Sequence, residues 1–400
     1  MPQKGGSRVG VVMSEKLLEQ VAKATSLREG VEGVAQVLRI VYSAERITLK
    51  DLSRKSGLPV PVLAAVRGEL EKAHILGRRA GLILTEQGRH FVEDHLKVTT
   101  RHDPICPTCH GRRVVVKEDL GSSIQELEGY FRQSPDVDVT LDQAPCLPET
   151  SMRRALYMYH CGALEGKKVI ILGDDDLVSL AVGLLGRALG SHVLTRRLTV
   201  VETDRRWINL IQRVSDVENL EIECVEHDVR DPLPEGLRRQ FDTFETDPPY
   251  TEEGMALFVS RAIHALKPGD GQQGFLSFGP KSPAEMLDVH LNLVTMGLVV
   301  HEVIPAFNDY EGASVLGGSS QMIHLLTTEA TKPLVLDSRY GEPIYTGQSS
   351  PTTRLYVCTR CKRDYKVGQG HPFITIESLK AAGCATCGNA RFRYVRRVAG

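Results

Sequence analysis

Four short stretches place reactive residue types at spacings that can do chemistry. Gly173-Asp174-Asp175-Asp176 sets three carboxylates behind one glycine, and Asp247-Pro248-Pro249-Tyr250 sets a carboxylate before two prolines and an aromatic ring. Between them in sequence lie Glu202 with Asp204, and Asp228 with Val229. Three adjacent carboxylates repel one another and any anionic group of a ligand, so the first stretch suits a ligand that ends in a cation. The Asp-Pro-Pro-Tyr stretch suits a nitrogen nucleophile. A carboxylate and a backbone carbonyl accept its hydrogens, the ring face meets developing positive charge, and the prolines keep the loop stiff. Glu202 and Asp204 are of the type that accepts hydrogen bonds from the two hydroxyls of a ribose. Asp228 and Val229 are placed for an adenine edge.

The elements that position these stretches alternate in kind. Strands are expected at Lys168 to Leu172, His192 to Val201, Leu220 to Val225, Phe241 to Thr246 and Gly274 to Phe278, with a late strand at Gln321 to Leu326. Helices are expected between them, at Leu177 to Leu189, Asp204 to Val214 and Glu252 to Leu266. Strands alternating with helices imply an α/β, Rossmann-like, methyltransferase-type doubly wound sheet that binds ligands at the strand carboxyl ends. All four stretches lie at such ends. This catalytic domain is expected over residues 151–330.

Before it, residues 1–97 read as a winged-helix-like domain. Helices at Val31 to Tyr42, from Ile47, and at Val60 to Ala73 precede a short hairpin at Ile75 to Thr85 and a last helix from Glu86. DNA binding is the familiar use of that pattern. However, Arg28 to Lys97 holds 12 Lys/Arg against 9 Asp/Glu, and the second helix of the pair offers only Arg67 and Lys72. A dimerisation or lid role fits better. Residues 98–150 read as a polar connector, with Gln143 to Pro148 as linker or substrate-facing loop.

Taken together, the loops call for a nucleoside, a cationic donor and a nitrogen acceptor. Decarboxylated S-adenosylmethionine is such a donor, carrying a sulfonium and an ammonium but no carboxylate. A polyamine is such an acceptor, and the reaction is then in-line displacement at the carbon next to sulfonium. Asp247 is expected to orient the attacking nitrogen and take its proton, with Pro248 and Tyr250 shaping the same loop. Asp176 is expected to anchor the donor's ammonium, and Glu245, with Asp136 and Asp138, the distal ammonium groups of the acceptor. Gly173, Asp174, Asp175, Glu202, Asp204, Asp228 and Val229 complete the expected donor site. Two other readings stay open. One is an S-adenosylmethionine-dependent amino-methyltransferase acting on nucleic acid, which the Asp triplet and the missing basic stripe oppose. The other is a non-enzymatic winged-helix regulator, which the intact Asp-Pro-Pro-Tyr loop opposes. Any one Asp here can also serve as a helix cap.

On Gly173 to Asp176, Asp247 to Thr251 and the winged-helix-like segment ahead of the sheet, the chain resembles the branched-chain polyamine synthases of thermophilic archaea and bacteria. The resemblance covers roughly residues 28–330. It implies aminopropyl transfer to the secondary amine of spermidine, giving N4-aminopropylspermidine and then N4-bis(aminopropyl)spermidine, with 5′-methylthioadenosine released. It also implies a homodimer. Linear spermidine synthases, which share the fold, carry a glycine-rich loop with one acidic residue at the place of Asp176.

The tail, residues 331–400, carries Cys358-Thr-Arg-Cys361 and Cys384-Ala-Thr-Cys387, separated by 22 residues. Two such knuckles make a four-thiolate site for structural zinc, or iron, in a zinc-ribbon-like module. A third pair, Cys106 and Cys109, is a possible second metal site. Six of nine cysteines in Cys-x-x-Cys pairs speak against a secreted disulfide framework. No apolar run nears the roughly 18 residues needed to cross a bilayer, and the N-terminus lacks a signal-peptide core. A cytoplasmic protein is expected. The formal net charge of −1 singles out neither nucleic acid nor membrane as partner.

Overall fold

The computed structural model describes residues 7–98, 108–191, 193–310, 318–346, 353–368, 371–373 and 376–398. An N-terminal helical unit comprises α1 (Ser7–Ala24), α2 (Gly30–Ala44), α3 (Leu49–Ser56), α4 (Val60–Lys72), the antiparallel hairpin β1 (Leu76–Arg78) and β2 (Leu82–Leu84), and α5 (Glu86–Asp94). Thr48 and Thr85 cap α3 and α5 by accepting from Asp51 N–H and Gly88 N–H. Val34, Val37, Leu38, Val41, Leu63, Val66 and Leu70 close its core.

After α6 (Gly121–Phe131) and α7 (Pro148–His160) the main sheet begins. It contains β3 (Lys168–Leu172), β4 (Arg197–Glu202), β5 (Ile222–Glu226), β6 (Thr243–Thr246), β7 (Gln273–Phe278), β8 (Val299–Asp309) and β9 (Ser319–Leu326). Helices α8 (Val178–Ala188), α9 (Arg205–Glu218), α10 (Glu252–Ala265) and α11 (Pro283–Thr295) connect them. The strand order is β5-β4-β3-β6-β7-β9-β8. The first five positions pair in parallel, while β9 runs antiparallel to both β7 and β8. The second strand is shorter than its sequence pattern implied, starting at Arg197. Helix α7, which the apolar pattern did not reveal, crosses the expected domain boundary at residue 151.

Central strand β3 is apolar on both faces because both are covered: Val169, Ile170, Ile171 and Leu172 are fully buried. Each such side chain contributes about 1.5–3 kcal/mol. Phe244 presses on the neighbouring strand so closely that a Cβ at Gly274 would stand 2.3 Å from its ring, so only glycine fits there.

A separate three-stranded antiparallel sheet, ordered β11-β10-β12, forms the tail from β10 (Thr353–Cys358), β11 (Asp364–Val367) and β12 (Phe392–Val398), with α12 (Ile376–Ala382) beside it. Among the described residues no helix is long and apolar enough to cross a membrane.

Candidate active site

The carboxyl ends of β3, β4, β5 and β6 bring the expected loops to one edge. After β3, Gly173 turns the chain at φ +75°, a region costly for any residue with a Cβ. The three aspartates that follow do different things. Asp174 is fully buried and caps α8, accepting from Val178 N–H at 2.6 Å and Ser179 N–H at 3.3 Å. Burial pushes its carboxyl up to about 8. Asp175 is half-buried and accepts from Ala144 N–H at 3.2 Å. Burial, with Asp176 and Glu202 nearby, raises its pKa well above the ordinary range. Asp176 turns inward and accepts from Cys146 N–H at 2.5 Å.

Asp176 meets Asp247 and Glu245 around a residue the sequence reading did not single out. Arg154, on α7, has no exposed surface. Its Nη1 donates to Asp176 at 2.6 Å and to Glu245 at 3.3 Å. Its Nη2 donates to Asp247 at 2.8 Å and to the Tyr310 hydroxyl at 3.0 Å. Its Nε donates to Asn308 at 2.9 Å. These five bonds match the five N–H groups of the guanidinium. Three carboxyl groups therefore share one buried cation.

Asp247 lies just past the end of β6. Burial raises its pKa; Arg154 pulls it back, Asp176 pushes it up again, and it comes to rest at about 7. The Tyr310 hydroxyl donates to the Asp247 carboxylate at 2.6 Å and pairs with the Ser320 hydroxyl at 2.7 Å. Tyr250 donates to the Tyr310 oxygen at 2.9 Å, and its ring stands edge-on to Phe278 at 5.3 Å. Pro248 is buried. Thr251 caps α10 at Gly254 N–H, which fixes the end of the loop. Glu245, inside β6, is almost fully buried, and burial drives its pKa far up despite Arg154.

The nucleoside-type residues are drawn together by backbone bonds. Glu202 accepts from Asp174, Thr203 and Asp204 N–H groups at 3.0, 2.7 and 2.8 Å, which ties the β3 and β4 loops to each other. Asp204 caps α9 at Arg206 N–H, and the Arg206 side chain holds its pKa down to about 2. Asp228 takes two bonds from Arg230 Nε and one from Nη2. Burial works against its charge, but Arg230 holds the pKa below the ordinary value. Val229 is buried, and its carbonyl accepts from Arg261. Asp138 caps a short turn at Thr140 N–H and is not among the partners of Arg154.

Residues 123–332 match the model of the branched-chain polyamine synthase A C-terminal domain. An uncharacterized protein of Methanocaldococcus jannaschii is 36% identical over 95% of this chain and 93% of its own length. The N(4)-bis(aminopropyl)spermidine synthase of the same organism is 31% identical over 74% of this chain and 82% of its own length. The chain belongs to the branched-chain polyamine synthase family. A crystal structure of the Thermus thermophilus branched-chain polyamine synthase, in complex with N4-aminopropylspermidine and 5′-methylthioadenosine, is similar to it at a TM-score of 0.67 and 26% identity. That match covers 84% of this chain and 97% of that chain.

In this family member the stretch read as linker or substrate-facing loop, Gln143 to Pro148, packs against the strand-end loops. Gln143 donates to Asp204 at 3.0 Å, and Cys146 is buried against Asp176. The N-terminal unit touches the same edge through two ion pairs. Arg54 of α3 reaches Asp309 at 3.4 Å, and Arg28 reaches Glu285 at 2.6 Å. Two signals could have exposed the missing residues. Met152-Arg153-Arg154-Ala155 puts paired cations into a helix that is otherwise suited to burial, and Asn308-Asp309-Tyr310 ends a strand with polar groups.

In the tail, the sulfurs of Cys358, Cys361, Cys384 and Cys387 all lie within 4.8 Å of one another. The closest separations are 3.4 Å for Cys361 to Cys384 and 3.6 Å for Cys358 to Cys387. Tetrahedral zinc with Zn–S near 2.3 Å sets its sulfurs about 3.8 Å apart, so the cluster fits that ion. Asn389 and the Tyr365 hydroxyl donate to two of the sulfurs, as second partners of a thiolate site do. Cys106 lies outside the described residues. Cys109 is half-buried and joins no metal-capable cluster among the described residues.

Proposed function

We propose that this chain transfers aminopropyl groups from decarboxylated S-adenosylmethionine to the secondary amine of spermidine. The first transfer gives N4-aminopropylspermidine and the second N4-bis(aminopropyl)spermidine. In each, the amine nitrogen forms a bond to the aminopropyl carbon beside sulfonium, the C–S bond breaks, and its electron pair leaves with neutral 5′-methylthioadenosine. In the first transfer a proton leaves the nitrogen for Asp247. The observation that carries the reading is the cluster of Asp176, Glu245 and Asp247 around Arg154 at the carboxyl ends of β3 and β6.

In this reading Asp176 and Asp175 hold the donor's ammonium, and Glu202 and Asp228 meet the ribose and adenine. Burial holds several of these carboxyl groups back from ionising, and the cationic donor and acceptor supply the missing positive charge. Their arrival favours the ionised carboxylates and so supplies the base. Tyr250 presents its ring to the nitrogen as it gains positive charge, and Tyr310 aims the Asp247 oxygen. The N-terminal unit acts as a winged-helix-like lid over the edge. The four tail cysteines hold structural zinc. The chain works as a cytoplasmic homodimer, which light scattering on the purified protein tests.

The deciding experiment offers spermidine with either decarboxylated or intact S-adenosylmethionine and follows products by mass spectrometry. Methylthioadenosine and branched polyamine with the decarboxylated donor alone are expected. Turnover with the intact donor alone overturns the reading in favour of a methyltransferase.

A further inference from the structure

The net charge of −1 hides two opposite halves. Residues 353–400 hold ten Lys/Arg against two Asp/Glu, whereas the preceding residues hold 39 against 48. The arginines of the main body are largely spent. Arg154, Arg187, Arg206, Arg230 and Arg238 each meet a carboxylate at 3.0 Å or closer. In the tail, no Lys or Arg side chain makes an ion pair among the described residues, and Arg360, Lys362, Arg363, Lys366, Lys380, Arg391 and Arg393 are exposed.

Five of these cations gather in one place. Arg360, Lys362 and Arg363 form the turn between β10 and β11. Thr359 N–H donates to the Arg391 carbonyl at 3.0 Å, which holds the start of β12 against that turn. Arg393 then pairs across from Val357 on the central strand. The gathered cysteines Cys358, Cys361, Cys384 and Cys387 tie the β10–β11 turn to the segment that leads into β12. The three-stranded sheet of the tail, which starts at Thr353, lies beyond residue 332, where the match to the family's domain ends.

We infer that this ribbon is a nucleic-acid-binding surface that engages backbone phosphates through the Arg360, Lys362, Arg363, Arg391 and Arg393 patch. An array of cations without carboxylate partners, carried on neighbouring strands and their turn, is what phosphate contacts need, and such contacts give affinity without sequence preference. The product of the proposed reaction is itself a polycation with the same natural counter-ion, but the inference stands on the ribbon alone.

The test uses the full-length, zinc-loaded protein and fluorescein-labelled 30-nucleotide single-stranded RNA and 30-base-pair DNA, read by anisotropy across a salt series. Binding is expected to at least one of them, with log affinity falling against log salt at a slope of about −3 to −4.5 for four to five phosphates. Lys362→Glu with Arg393→Glu should lower affinity at least about tenfold and flatten that slope, while polyamine turnover and zinc content stay unchanged. If that variant loses zinc, Arg360→Gln with Lys362→Gln replaces it, and the same direction of change is expected. Absence of binding to either nucleic acid at 50 mM salt overturns the inference. So does binding that charge reversal leaves untouched, or flotation with anionic phospholipid vesicles without nucleic-acid binding. None of these readouts depends on which donor the catalytic site uses.

Discussion

The Nη2 of Arg154 stands 2.8 Å from the Asp247 carboxylate, inside a cluster with no exposed surface on the arginine. The guanidinium therefore does two jobs. It offsets the desolvation of three carboxylates, and it restrains the pKa of the proposed base, which rests at about 7. The reaction needs ionised Asp247, so kcat/KM should rise with pH through that region. Arg154→Lys keeps the charge but loses at least two of the five bonds, so Asp247 titrates higher and the rising limb moves to more alkaline pH. Each unit of that shift leaves about tenfold less ionised enzyme on the acid side. Arg154→Met leaves three carboxylates without a buried counter-ion and should cost about 3–5 kcal/mol of stability. A pH–rate profile of the Lys variant beside a thermal melt of the Met variant checks both, and an unmoved limb removes Arg154 from the tuning.

Asp247→Asn should lower turnover by about 10²–10⁴-fold, the range of a lost general base, while donor affinity changes little. Tyr310→Phe is the finer test, since it leaves the carboxylate in place. Its hydroxyl donates to Asp247 and helps hold the pKa down. Without it the acid limb should shift upward and kcat should fall with little change in KM. Near-normal turnover of Asp247→Asn, read as methylthioadenosine release, defeats the assignment.

Asp174 gives a prediction of opposite kind. Its folded pKa is raised to about 8, above that of an unfolded aspartate. A group shifted in that direction contributes stability that is fully present below the unfolded value and lost as pH rises through the folded one. The ligand-free protein should therefore lose stability between about pH 4 and 8. Asparagine caps helices as well as aspartate does. Asp174→Asn should thus melt with a flatter pH dependence and keep its turnover, which differential scanning fluorimetry and the standard assay report.

How far these relationships could be read in advance depended on how local they are. The strand-end loops were legible because a doubly wound sheet puts every loop after a parallel strand on one edge, and β3 matched its expected range to the residue. The Arg154 cluster was not legible, because its partners come from the β3 loop, β6, β8 and the segment just past it. Strand β8 itself escaped notice: it contains Pro305 and two register irregularities against β9, which blur the period-two pattern. The Asp triplet could not be sorted by sequence, since a cap and a ligand-facing carboxylate look alike until α8 shows which oxygens it has taken. The basic tail was in view but vanished in a whole-chain net charge.

The tail metal is open to a direct count. One zinc per chain is expected from the four gathered thiolates, released by mercurial titration and read with a colorimetric chelator. Cys358→Ser should abolish that release and unfold the ribbon. Polyamine turnover should persist, because the cysteines lie outside the catalytic sheet. Loss of turnover in step with zinc would give the ribbon a catalytic part.

Asp309 offers the last test, because three arginines from three parts of the chain converge on it. Arg54 comes from the N-terminal unit at 3.4 Å, Arg112 from the segment after it at 2.8 Å, and Arg153 from α7 at 3.7 Å. The neighbours of Asp309 on either side, Asn308 and Tyr310, both touch Arg154. Loosening the N-terminal unit therefore loosens the strand end that aims Asp247. Arg54→Ala removes the longest but one of three ion pairs to Asp309 and leaves Arg112 and Arg153 in place, so the fold should survive with at most a small drop in melting temperature. If the unit is a lid, KM for the polyamine should rise severalfold while kcat changes less. Equal KM values for the variant and the parent would leave that unit without a part in the site.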